Sequence, residues 1–322
     1  MANPNALVCP DKFRGTLTAQ EAAAAIAAGL HAAGFACVRE LPLADGGEGT
    51  LDVLLAALGG QRRTASVTGP DGSRVEAEWG LLPDGRAVVE MALASGLSLL
   101  RGRNDPVAAT TRGTGELIAA AARAGASEVI LGVGGSATTD GGLDAVEALG
   151  WSLPVPVTVA CDVSTRFIDA APVFAPQKGA SEAQIVLLER RLRERAELYL
   201  ARTGNDVLSL PGSGAAGGLA GGLAALGAEL RPGFEVVAEA VGFENALDQA
   251  EVVVTGEGRL DASSLAGKVV GCVLEAARVR CGVVAGQAAP DLPPLPGSPI
   301  VIVLGERSAE EAARELGSRL LA

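Results

Sequence analysis

The chain has one histidine, His31, in 322 residues. A Ser-His-Asp triad would have to recruit that single imidazole, and no G-x-S-x-G elbow is present to supply its nucleophile. Metal sites built from several histidines are excluded. A general base is then expected to be an Asp, a Glu or a Lys. His31 itself lies in "AQEAAAAIAAGLHAAG", where it reads as an ordinary helix side chain. Aromatics make up only 3% of the residues. The five cysteines (Cys9, Cys37, Cys161, Cys272, Cys281) contain no C-x-x-C pair, which argues against structural zinc and thioredoxin-like chemistry. Cys9, Cys37 and Cys161 fall in apolar, strand-like runs and are expected as small core residues. Positive charge is also short: 26 Lys and Arg against 38 Asp and Glu leave a net charge of −12. That argues against a broad basic face for nucleic acid and leaves room for a small basic pocket around an anionic substrate. Apolar runs are short or broken by glycine and charge, so no membrane span is expected. The start, "MANPNALVCPDKF", lacks the charged and then long apolar regions of a signal peptide, and a cytoplasmic protein is expected.

Glycine is abundant instead, with 43 residues. Together with Ala, Val and Leu it suits an α/β protein with many strand-to-helix turns. The length allows one large domain or two medium ones. Residues 6–10 and 37–44 read as strands, and 18–33 and 50–58 as helices. The stretch "RRTASVTGPDGSRVEAEWGLLPDGRAVVEMA" alternates around two turn signals and reads as an antiparallel meander. Helices are expected at 114–124, about 181–202 and 213–227, and strands at 127–133 and 155–161. A β-α-β style returns after residue 230, with strands "AEVVVTGEG", "CGVVAGQ" and "PIVIVLG" and helices at 265–280 and 308–321. The simplest partition puts 1–60 and 246–322 in one parallel α/β domain and inserts a mixed α/β domain, 61–245.

Four loops share one composition: "PDKFRGT" (10–16), "ADGGEGT" (44–50), "GVGGSATTDGG" (132–142) and "TGEGRLD" (255–261). Each sets glycine, a carboxylate or a small hydroxyl at the C-terminal end of a strand, the edge where open α/β sheets bind ligands. Such a loop is either a tight turn that caps the next helix or a cradle whose bare N–H groups receive an anion. Four of them, each with a carboxylate, favour shared function. Phosphoryl transfer fits, because it needs anion-binding N–H groups, a cation, and Mg²⁺ held by one or two carboxylates. The candidates are Asp11, Asp45, Glu48, Asp140, Glu257 and Asp261, with Lys12, Arg14, Lys178 and Lys268 as cations. No G-x-x-x-x-G-K-[ST] loop occurs, and the protein-kinase H-R-D and D-F-G sets are absent. "GSGAAG" (212–217) matches G-x-G-x-x-G, but "VLSL" ended by Pro211 is a poor leading strand. A helix-packing or nucleotide-phosphate role is expected there rather than NAD binding.

The motifs "PDKFRGTLTA", "LPLADGGEGT", "TTRGTGELI", "GVGGSATTDGG", "ACDV", "VFAPQKGA", "LPGSGAAGGLAGGL", "GAELRPG" and "TGEGRLDASSLAGK" follow one another in that order. As a set they resemble the bacterial type I glycerate kinase family. The resemblance implies a two-domain α/β enzyme, one part flavodoxin-like and one likened to restriction endonucleases. It also implies ATP-dependent phosphorylation of D-glycerate, commonly at the 2-hydroxyl, with Mg²⁺. The chain departs from the family in three places. "WSLPVPVTVACDV" replaces a longer segment, "STRFIDAAP" is shorter and lacks the usual Asn and Gly, and Thr139 stands where Asn is frequent.

On this footing Asp45 and Asp140 are the expected base or metal ligands, with Lys12 and Lys268 beside them in catalysis. Asp11, Arg14, Glu48, Lys178, Glu257 and Asp261 are expected to bind substrate. Gly134, Ser136, Ser213, Gly214 and Gly217 are expected to receive nucleotide phosphates. Asp140→Asn is expected to lower turnover by at least about two decades with little change in stability. The altered 151–176 region also admits a kinase of another small hydroxy acid, or a metabolite-binding homologue without turnover. The oligomeric state stays open, a homodimer among the options.

Overall fold

The computed structural model describes residues 4–322. Among these, eleven strands occur: β1 (Asn5–Val8), β2 (Cys37–Glu40), β3 (Gln61–Thr68), β4 (Arg74–Leu81), β5 (Arg86–Glu90), β6 (Glu128–Gly132), β7 (Val157–Ala160), β8 (Glu229–Arg231), β9 (Val252–Leu260), β10 (Arg280–Ala288) and β11 (Ile300–Val303). They form two sheets in two compact units. Of the described residues, unit 1 comprises 4–45, 52–57 and 234–322; unit 2 comprises 46–51 and 58–233. Segments 46–51, 58–60 and 234–245 thus each group with the unit opposite to the one the sequence partition gave them.

Unit 1 holds a five-stranded sheet in the order β11-β10-β9-β1-β2, and every neighbouring pair is parallel. Counted within the unit this is the order 2-1-3-4-5 of flavodoxin-like folds. Val8, Val254, Val283 and Val284 are fully buried, as expected for central parallel strands covered on both faces. The helices Ala19–Ala33 and Ala309–Leu321 cover one face, their Ile26, Leu30, Leu316 and Leu320 sharing a core with Val8 and Val254. The two helices approach closely because Gly29 has no side chain: a Cβ there would lie 2.3 Å from the carbonyl oxygen of Glu310. Both helices begin as the sequence spells out. Thr18 and Glu21, and Ser308 and Glu311, form reciprocal capping boxes.

Unit 2 holds a mixed six-stranded sheet, β3-β4-β5-β6-β7-β8. The meander β3-β4-β5 is antiparallel, and β5 through β8 are parallel. Gly72 and Gly85 take positive φ in the two hairpin turns, which is what "GPDG" and "PDG" predict. The long helix Glu182–Thr203 buries Leu188, Leu192, Ala196 and Tyr199 along one face.

Four expectations are corrected. Cys37 is exposed, because it begins the edge strand β2 rather than a central one. The strand expected at 37–44 stops at Glu40. The helix expected at 213–227 is regular only over Leu219–Ala225, since Ala216, Gly217 and Gly218 all take positive φ. The helix expected at 265–280 runs Val269–Ala276.

Candidate functional site

In unit 1, β1 leads through the helix Ala19–Ala33 to β2 on one side, and the adjacent β9 leads through Val269–Ala276 to β10 on the other. Neighbouring strands whose connections diverge leave a crevice at their carboxyl ends, the usual ligand position of such sheets. The segment after β1 folds over the end of β9. The Asp11 N–H donates to the Gly256 carbonyl at 2.9 Å, and a Cβ on Gly258 would come within 3.0 Å of the Arg14 nitrogen. Glycine at 258 therefore lets the loop lie on the strand, while Gly256 leaves room for the Val284 carbonyl of β10, 2.3 Å from where its Cβ would be.

This arrangement gathers most of the expected residues of unit 1. Asp11 is half-buried and its Oδ1 accepts the Lys12 N–H at 2.7 Å. Burial and the like charge of Asp45 push its carboxyl up to about 6, against the pull of Lys12 and Lys268. Glu257, on β9, is 8% exposed. Burial raises it to about 7; a hydrogen bond from Ser264 and the charge of Lys268 oppose the rise, and Asp11 and Asp261 add to it. Its Oε1 is buried without a hydrogen-bond partner. Asp261 caps the next turn, accepting the Ser263 N–H at 2.9 Å and hydroxyl at 2.6 Å, which holds its carboxyl below the usual range. Lys268 Nζ donates to the Ser263 hydroxyl oxygen at 2.8 Å. Arg14 is exposed.

Unit 2 carries the other expected residues, Glu48 and Gly134 on loops that pack together. Residues 46–49, 132–135 and 160–162 meet at the carboxyl ends of β6 and β7. A Cβ on Gly46 would lie 2.8 Å from the Ala160 Cβ, and one on Gly134 would lie 2.9 Å from the Gly47 Cα. Glu48 is exposed beside this contact, Gly134 is half-buried, and Ser136 bridges to Gly96. Glu90, which sequence reading passed over, holds the first of these loops. Its Oε1 accepts the N–H groups of Gly49 at 2.9 Å and Leu51 at 2.8 Å.

Asp140 is buried, and its carboxylate is heavily used by the protein. It accepts the Thr111 N–H at 2.9 Å, the Thr111 hydroxyl at 2.6 Å and the Gly142 N–H at 3.0 Å. Thr111 and Gly142 stand at the starts of the helices Arg112–Arg123 and Leu143–Ala148. One side chain therefore ties two helix N-termini together. Burial pushes its carboxyl up, and those hydrogen bonds pull it back. The expectation that Asp140→Asn leaves stability untouched does not survive this geometry. Lys178, 3% exposed, donates from Nζ to the Thr138 carbonyl at 2.5 Å. Burial lowers its ammonium to about 7 despite the opposing charge of Asp140.

The "GSGAAG" stretch packs against this loop. The Gly217 carbonyl accepts the Gly141 N–H at 3.0 Å, and a Cβ on Gly217 would fall 2.1 Å from the Thr138 carbonyl oxygen. The Ser213 hydroxyl is spent on the Val207 and Leu210 carbonyls, and Gly214 lies against the Arg166 carbonyl. No strand leads into the motif among the described residues, so the structural context of a dinucleotide fingerprint is missing.

Comparison with known proteins points in one direction. The model of the glycerate kinase family matches residues 6–154 and 153–315. The chain is 41% identical over 301 residues to the glycerate 2-kinase of Escherichia coli K12, covering 82% of this chain and 79% of that protein. It is 40% identical over 310 residues to the glycerate kinase of Bacillus subtilis 168, covering 84% and 81%. A solved structure of a candidate glycerate kinase 2 from Salmonella typhimurium LT2 superposes with a TM-score of 0.85 at 34% identity, covering 99% of this chain and 98% of the other. The two matched family segments meet at 153–154.

Proposed function

The chain belongs to the glycerate kinase family, and from that premise we propose that it transfers the γ-phosphoryl group of ATP to a hydroxyl of D-glycerate in the cytoplasm. The specific product proposed is 2-phosphoglycerate. The observation that carries the reading is the set of acids and lysines at the divergence of β1 and β9: Asp11, Lys12, Asp45, Glu257 and Lys268. Phosphoryl transfer asks a protein mainly for positioning and for charge around the phosphates, and Lys12 and Lys268 supply positive charge there. Lys178, with its buried ammonium, and the glycine-rich backbone around Gly134 and Ser136 are the corresponding anion-binding elements of unit 2. Glu48, on the 46–49 loop of unit 2, and Arg14, on the loop after β1 in unit 1, are the remaining substrate contacts of this reading.

Magnesium needs only one or two protein carboxylates when nucleotide phosphates complete its shell, and Asp45, half-buried and beside Asp11, suits that requirement. The bound ion would neutralise phosphate charge. Asp140 suits it poorly, since three of the roughly four acceptor positions of a carboxylate are taken. Its role is to hold the loop 132–142 in shape. Unit 1 is proposed to be a domain of its own, with unit 2 as the inserted one.

The reading is tested by ADP release from MgATP with D-glycerate, with phosphorus NMR to locate the phosphorylated hydroxyl. The expected outcome is turnover with the phosphate on the 2-hydroxyl. Turnover restricted to a different hydroxy acid would reassign the substrate; the chain spans about four-fifths of its curated relatives, and the altered 151–176 region supports that as the second reading.

A further inference from the structure

Glu257 is set apart from the other acids by what it lacks. Among the described residues, its Oε1 is the one carboxylate oxygen buried without a hydrogen-bond partner. Ser264, whose own oxygen accepts the Asp261 N–H at 3.0 Å, is the hydroxyl that opposes the rise of the Glu257 carboxyl. Oε1 itself is left unserved. Unpaired buried acceptors are destabilising and rare in native proteins, and they call for an explanation. This one lies on β9, next to the divergence from β1, where the sheet topology directs a ligand. The other acids nearby have partners. Asp261 accepts two bonds from Ser263 and pairs with Arg259 at 3.4 Å, and Asp11 accepts the Lys12 N–H.

We propose that Glu257 takes the proton of the glycerate hydroxyl during phosphoryl transfer. This role rests on the kinase reading above and adds the group that performs its proton step. The hydroxyl O–H bond breaks and its proton bonds to Oε1. The electron pair left on the oxygen forms the new bond to the γ-phosphorus of ATP. The bond from that phosphorus to the bridging oxygen breaks, and ADP leaves with its electrons. The affinity of Glu257 for a proton suits the task, since a base works best near the operating pH. The groups acting on it are Lys268, Asp11 and Asp261 as charges and Ser264 as a hydrogen-bond donor.

The test is the pH dependence of kcat and KM for D-glycerate with MgATP, on the full chain, in the wild type, Glu257→Gln and Glu257→Asp. The wild type should show a rate that rises through about pH 7. Glu257→Gln should lose about 10²–10⁴-fold in kcat, with KM little changed and the rising limb gone. Glu257→Asp, with a shorter reach, should be slow but keep a limb. A Gln variant as fast as wild type, or one that keeps the limb, overturns the proposal. A flat wild-type profile overturns it whether or not the variants fold. A wild type inert toward D-glycerate at every pH removes the kinase reading, and this role with it; active wild type with active Glu257→Gln removes only this role.

Discussion

Glu257 in unit 1 and Asp140 in unit 2 are both buried acids in glycine-rich segments, at 8% and 7% exposure. Burial raises the carboxyl of each. Their hydrogen bonds are opposite. Asp140 accepts three from the protein and joins two helix starts; Glu257 has an oxygen with none. A buried carboxylate surrounded by donors holds structure in place, whereas one kept short of donors stays available to a ligand. Burial and motif alone do not separate the two. Counting donors does.

The comparison breaks most severely at Asp140. Asp140→Ala abandons three donors, two of them backbone N–H groups at helix starts. Denaturant unfolding should show a loss of about 4 kcal/mol, built from about 1–3 kcal/mol per unsatisfied group. A loss below about 1 kcal/mol would remove the structural role.

Lys178 sharpens the same side of the comparison through pH. Its folded value, about 7, lies below the 10.5 of a free lysine. Between those values the unfolded chain binds more protons than the folded one, so this residue makes stability rise with pH across that window. Relative to Lys178→Met, the wild type should gain on the order of 2–4 kcal/mol between about pH 7 and 10. Melting curves of both proteins across the window check the sign, and a constant difference between them would contradict it.

Thr111→Val is a milder probe. It removes the hydroxyl that donates to Asp140 at 2.6 Å and accepts the Ala145 N–H at 3.2 Å, but it keeps the backbone bond at 2.9 Å. The expected cost is about 1–2 kcal/mol, read by the same denaturant titration. If it equals the cost of Asp140→Ala, the hydroxyl rather than the carboxylate is the hub.

The two sheets were largely legible in the sequence, because their signals are local. "ALVCP" and "AEVVVTGEG" are apolar runs bounded by turn residues, the meander announces its two hairpins, and the capping boxes mark the helix starts. The strand Glu229–Arg231 was not legible, since three residues with two charges carry no alternation. The candidate residues were legible as a composition, but their separate roles were not, because those depend on distant partners. Asp140 meets Thr111 across 29 positions, and Glu90 meets Gly49 across 41. "GSGAAG" looked like a nucleotide fingerprint because glycine serves two ends. Here it serves close packing, since Gly217 faces the Thr138 carbonyl with no room for a side chain.

The most direct measurement is the stability of Glu257→Gln beside the wild type at about pH 8 and again near pH 4.5. The folded value of Glu257, about 7, lies above the 4.5 of a free glutamate. Folding therefore disfavours its charged form; the penalty is absent below about pH 4.5 and complete above about 7. Gln keeps the shape and removes the charge. The variant should be more stable than wild type at pH 8, by on the order of 3 kcal/mol, and should lose that advantage in acid. A variant that is less stable than wild type at pH 8 would show that the Glu257 carboxylate is held by the fold, as Asp140 is, and would contradict the view that it is left free for a ligand.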